Sequence, residues 1–216
     1  MSGDDGFGLD DAYAVETPDD NRRLYAQWAS TYDSEFLQTQ GYVYDRNVAA
    51  AYVAMGGSEP VLDLGCGTGA VGIALMGLGV DIVDGLDISP EMLEQAAAKR
   101  VDDRPVYRSL VVGDLLAGIE IEDGAYAGVV SAGTFTHGHV GPSALTETIR
   151  VGAAGCRFAL GVNAEHYEQL GFADALRGFT ADGVISDLAH QDVAIYEKND
   201  TEHGSDLARV VTFVKR

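Results

Sequence analysis

Val61-Leu62-Asp63-Leu64-Gly65-Cys66-Gly67-Thr68-Gly69 is the stretch on which the fold turns. Four residues suited to a buried strand, one of them a carboxylate, run straight into a turn with glycine at every second position. Residues 70–78 follow, mostly apolar and long enough for a helix. A strand, a glycine turn and a helix in immediate succession form the first half of a βαβ unit. Glycine there takes left-handed dihedrals without a Cβ clash and lets a ligand come close to the main chain. With Asp63 at the strand's end, the turn suits a nucleoside-bearing ligand.

Outward from this turn the pattern alternates. Apolar runs at 60–64, 80–87, 106–112, 127–132 and 157–162 read as buried parallel strands. Helical stretches at about 68–78, 90–100, 142–151 and 165–178 lie between them. Such alternation needs crossovers and a sheet covered on both faces, a doubly wound Rossmann-like α/β fold. Residues 184–196 and 207–215 are strand-like on either side of a polar turn at 198–205. They predict a C-terminal hairpin with one antiparallel strand, bringing the sheet to seven strands.

Upstream, Leu24, Trp28, Tyr32 and Phe36 repeat at helical spacing, and a second helix is predicted over about 42–55, ended by Gly56 and Gly57. Residues 1–18 carry Asp4, Asp5, Asp10, Asp11 and Glu16 and no basic residue, so they read as a mobile acidic tail. Three regions result: the tail at 1–18, cap helices at 19–57, and a ligand-binding domain at 58–216.

The net charge of −20 repels phosphate backbones and anionic bilayers, which argues against nucleic-acid and membrane partners. At 216 residues and 46% hydrophobic content, the chain can bury a full core. No apolar run approaches the roughly 20 residues of a membrane span. The acidic start lacks the basic-then-apolar pattern of a secretory leader, so a cytoplasmic location is expected. Cys66 and Cys156, the only cysteines, lack metal-ligand spacing and predict neither a zinc site nor a disulfide framework.

Carboxylates fall where an open α/β sheet binds its ligands, beyond the carboxyl ends of its strands. Asp63 closes the first strand, Asp87 closes the second in Gly85-Leu86-Asp87-Ile88-Ser89, and Asp114 follows the third. Asp87 stands 18 residues after Gly69, a spacing that suits a carboxylate holding two ribose hydroxyls. Asp114 is placed to accept from an adenine amino group, with Ile88 and Leu115 flanking the ring. Asp63 is positioned for a cationic amino group. An aspartate after a strand also serves as a turn former or helix cap, and for Asp114 that reading stands equally. Cys66 sits in the turn for its backbone N–H; no basic neighbour prepares it as a nucleophile.

This arrangement resembles the class I S-adenosylmethionine-dependent methyltransferases. Among them it is most similar to small-molecule enzymes with a Tyr-x-x-Trp-Ala-x-x-Tyr-Asp signature, here Tyr25-Ala26-Gln27-Trp28-Ala29-Ser30-Thr31-Tyr32-Asp33. The run from Ser131 through His137 to Val140 resembles the Williams–Beuren-region methyltransferase-like branch. One departure is visible: the family's fourth strand begins with an aromatic and then an acid, whereas Tyr126 is followed by Ala127.

The resemblance implies S-adenosylmethionine as cofactor, S-adenosylhomocysteine as product and a small-molecule methyl acceptor. It implies a donor site at Tyr25, Tyr32, Asp63, Gly65, Cys66, Gly67, Gly69, Asp87, Ile88, Met92, Asp114, Leu115 and Ser131. His137 and His166 follow the fourth and fifth strands and are the candidate general bases. Thr134 and Thr136 are candidate hydrogen-bonding residues at the same edge. A nicotinamide enzyme remains the rival, because Gly67-x-Gly69-x-x-Gly72 also satisfies the dinucleotide pattern. A cofactor-binding protein without catalysis is the third reading.

Overall fold

The computed structural model describes residues 41–135, 140–197 and 206–216. The predicted tail, the first cap helix and the polar turn at 198–205 lie outside the described residues. The second cap helix is α1, Tyr44–Ala54.

Strand β1 is Val61–Leu64, all four residues buried, and helix α2 is Ala70–Gly77. Strand β2, Val83–Asp87, is buried throughout, and helix α3, Pro90–Ala98, starts from a Ser89 cap whose hydroxyl accepts from Met92 N. A short antiparallel ribbon follows, β3 (Arg100–Val101) with β4 (Arg104–Pro105). Asp102 and Asp103 turn it with positive φ, a conformation that short carboxylate side chains tolerate. Nothing in the hydrophobic pattern predicts this ribbon.

Strand β5 is Ser109–Val112 and β6 is Tyr126–Phe135. A 3₁₀ turn at Pro142–Ala144 leads into α4, Leu145–Arg150, and then β7, Gly152–Asn163. The single helix expected over 165–178 is two, α5 (Ala164–Gln169) and α6 (Phe172–Ala181), divided at Gly171 with φ 81°. Strands β8 (Ile185–Ala194) and β9 (Leu207–Lys215) complete the sheet.

The seven strands stand in the order β5-β2-β1-β6-β7-β9-β8. All neighbours are parallel except β9, which runs antiparallel to both β7 and β8. The order reverses at β1, so the crevice of an open sheet lies at the end of that strand.

Alternation along the strands divides the core between the two faces. Val61, Val83, Val130 and Ala159 pack with Tyr44, Val48, Val71, Leu75 and Leu93 from α1 to α3. Leu62, Leu86, Val129 and Phe158 pack with Leu145, Ile149, Phe172 and Leu176 from α4 and α6. This three-layer build is the doubly wound fold expected from the alternating pattern.

Far from the crevice, Asp84 is buried near the amino end of β2. Arg108 Nε donates to it at 3.0 Å and Tyr126 Oη at 2.9 Å. That phenol ties down the start of β6, where the acidic residue usual in the resembled family is missing.

Candidate active site

The turn after β1 is held from two sides. From β2, the carbonyl of Leu86 accepts from Gly65 N at 2.7 Å and from Cys66 N at 3.0 Å. The Asp87 carboxylate accepts from Gly67 N at 2.8 Å through Oδ2 and from Ser89 N at 2.9 Å through Oδ1. From β6, the hydroxyls of Ser131 and Thr134 both donate to the carbonyl of Leu64, at 2.7 and 2.9 Å. The register of β6 shifts between Ser131 and Phe135, a bulge that lets two hydroxyls reach one carbonyl.

Two glycines are required here for different reasons. Gly65 has φ 66°, and a Cβ would lie 1.9 Å from Thr134 Oγ1. Gly67 has φ 53°, and its Cβ would meet nothing within 4 Å. The first glycine lets β6 close in; the second faces open space, where a ligand can approach the main chain.

Asp63 lies fully buried beneath this turn. Tyr107 Oη donates to its Oδ2 at 2.7 Å, while its Oδ1 has no hydrogen-bond partner among the described residues. Burial pushes the carboxyl up to about 7, the Tyr107 bond opposes this, and the charges of Asp87 and Asp45 add to the rise. An orphaned carboxylate oxygen in a low-dielectric site is costly unless a donor or cation meets it. Asp87 is also raised by burial, opposed by the N–H groups of Ser89, Gly67 and Ile88. Each Asp87 oxygen accepts one backbone bond and keeps capacity for one more.

The structure brings Asp63, Gly65, Cys66, Gly67, Asp87 and Ser131 together at one sheet edge; Gly69 caps α2. Cys66 is buried, and burial raises its thiol, as do the charges of Asp63 and Asp87, so it stays protonated and inert. Ile88 is half-buried and Leu115 is buried. Met92 is 1% exposed, its side chain in the core. Asp114 Oδ1 accepts from Leu116 N at 2.8 Å, forming a local turn. His166 sits in α5, its N–H donating at 3.2 Å to Asn163 Oδ1, the cap at the end of β7. Tyr25, Tyr32, Thr136 and His137 lie outside the described residues.

Two site residues escaped the sequence reading. Tyr107 belongs to a run whose apolar neighbours marked it as core, and only the tertiary structure sets its hydroxyl on Asp63. Asp45 stands in the first turn of α1, its Oδ1 buried without a hydrogen-bond partner among the described residues. Burial is the main cause raising its carboxyl. Asp45 also rims a cavity of about 960 Å³ between α1 and α2, with Arg46, Lys99 and Glu197; Thr68 and Ala70 line it from the glycine turn.

The arrangement fits a nucleoside carrying a cationic amino group. Paired acceptors on Asp87 suit vicinal hydroxyls, the open side of Gly67 admits a ligand, and the free oxygen of Asp63 seeks a positive charge. A pyrophosphate placed at the same acids meets two carboxylates, Asp63 and Asp87.

Comparison with known families matches residues 61–155 to a methyltransferase domain. Among solved structures, a TehB-like S-adenosylmethionine-dependent methyltransferase from Corynebacterium glutamicum is similar at 26% identity and a TM-score of 0.55, over 91% of this chain and 98% of that one. Magnesium protoporphyrin IX methyltransferase from Synechocystis, solved with S-adenosylmethionine bound, superposes at a TM-score of 0.63 and 21% identity, over 98% and 100% of the chains. A chain of the complex between the Haloferax volcanii Trm112 methyltransferase activator and a methyltransferase reaches 0.65 at 21% identity, over 88% and 97%. A comparison with curated proteins finds no match.

Proposed function

We propose that this chain, which carries a methyltransferase domain over residues 61–155, moves a methyl group from S-adenosylmethionine to a small-molecule acceptor by in-line displacement. Methyltransferase activity with that donor rests on the domain match and on a sheet shared with enzymes solved with S-adenosylmethionine and S-adenosylhomocysteine bound. The acceptor class and the residue roles are inferences from the site.

The observation that carries the reading is the unpartnered oxygen of Asp63, buried under a glycine turn that Asp87 anchors. Asp63 would hold the ammonium of the donor and Asp87 its ribose hydroxyls. Asp114 would accept from the adenine amino group with Ile88 and Leu115 flanking the ring, and Tyr25 and Tyr32 would be further donor-binding residues. The bound donor supplies a methyl group already activated on a sulfonium. The chain's own task is therefore to align the acceptor and keep water out. If the acceptor is a weakly acidic oxygen, nitrogen or carbon, His137 or His166 takes its proton. The tyrosine–tryptophan signature and the Ser131–Val140 run support membership of the Williams–Beuren-region-like branch.

Titration calorimetry with S-adenosylhomocysteine and with NAD tests the donor, and methyl release from labelled S-adenosylmethionine over an acceptor panel tests catalysis. Binding of NAD in preference to S-adenosylhomocysteine would overturn the reading. Donor binding with no turnover on any acceptor would favour a cofactor-binding protein.

A further inference from the structure

Tyr107, between β4 and β5, reaches Asp63 with its hydroxyl, and none of the donor-site motifs includes it. Its ring is wedged under the start of α2: a Cβ on Gly72 would lie 2.6 Å from Tyr107 Cζ, and one on Gly69 would lie 3.1 Å from Cε2. The ring is 6% exposed, so it has one packed position. From there the phenol spends its single proton on Asp63 Oδ2 at 2.7 Å. That bond occupies one carboxylate oxygen, and Oδ1 is left with no partner among the described residues.

Resting on the donor reading above, we propose that Tyr107 is a positioning residue: its hydroxyl fixes Asp63 so that Oδ1 faces the ammonium of the donor's amino-acid end.

The surrounding charges favour such a cation. Asp87 at the end of β2, Asp45 on α1 and the Cys66 thiol in the turn all face Asp63, and none of them is positive. Asp63 binds the ammonium only when ionised. Donor affinity therefore falls as pH drops through the carboxyl's titration near 7. The Tyr107 bond favours the ionised form, so its loss moves that fall to higher pH.

The test compares wild type with Tyr107→Phe, which keeps the ring. Binding of S-adenosylhomocysteine and of 5′-methylthioadenosine, which lacks the amino-acid end, is measured by calorimetry from about pH 5.5 to 8. Expected is a roughly tenfold loss of S-adenosylhomocysteine affinity near neutral pH, with the acid limb shifted upward. Methylthioadenosine should bind both proteins equally and with little pH dependence. An unshifted limb, or equal losses for the two ligands, overturns the positioning role, since equal losses mean only that the ring shapes the turn. If wild type binds neither ligand, the donor reading itself falls. Should Tyr107→Phe not fold, Asp63→Asn decides: it should abolish the acid limb for S-adenosylhomocysteine, and a retained limb refutes the proposal.

Discussion

Asp87 serves two ends of the site with one carboxylate. Its oxygens already accept from Gly67 and Ser89, and the ribose would use the remaining lone pairs. Asp87→Ala therefore removes ligand contacts and loosens the turn together. The expected loss is about a hundredfold or more in S-adenosylhomocysteine affinity, because hydrogen bonds to a charged acceptor are worth roughly 1.5–3 kcal/mol each. Calorimetry measures it, and unchanged affinity would remove the ribose role. Asp63 makes a second prediction, concerning stability. Its native carboxyl titrates near 7, well above its ordinary value of 3.8. Between about pH 4 and 7 the folded state holds a proton that the unfolded chain has released. The stability this group contributes is full below about pH 4 and is lost progressively as pH rises to about 7. Thermal melts of the ligand-free protein should fall more steeply across this window in wild type than in Asp63→Asn. Parallel curves would show that the carboxyl titrates normally.

At the scale of elements, β6 does the most to shape the site. Its bulge brings Ser131 and Thr134 onto the Leu64 carbonyl, and its first residue reaches Asp84 on β2. Tyr126→Phe leaves a buried carboxylate with one donor fewer and should cost about 1–2 kcal/mol, read from urea unfolding. Donor affinity should stay unchanged, because Asp84 lies away from the crevice. The elements themselves were largely legible: hydrophobic runs located all seven strands of the main sheet, and Asp63, Gly67 and Asp87 stood out by spacing alone. What stayed hidden was tertiary. No local pattern says that Tyr107 turns its hydroxyl toward Asp63, that Asp45 buries an oxygen on α1, or that Gly171 splits one helix into two. The β3–β4 ribbon was missed because Asp102 and Asp103 turn it through positive φ, which the periodicity of side chains does not record.

For the whole molecule the governing quantity is charge. With a net −20, long-range attraction favours cationic acceptors and opposes phosphorylated ones. On an acceptor panel, amines should show a KM that rises with added salt, as screening weakens the attraction. Neutral acceptors should show little salt dependence, and phosphorylated compounds should turn over poorly at low salt. A flat salt response for every amine would mean that the acceptor is chosen by shape alone.

The placement of β9 has a consequence for biosynthesis. Residues 207–215 sit between β7 and β8, so an interior position of the sheet is filled by the strand translated after all the others. While the ribosome still holds that stretch, β7 offers a bare hydrogen-bonding edge and β8 has no neighbour to join. The nascent chain is thus most open to self-association, or to a chaperone, until residues 207–215 have emerged.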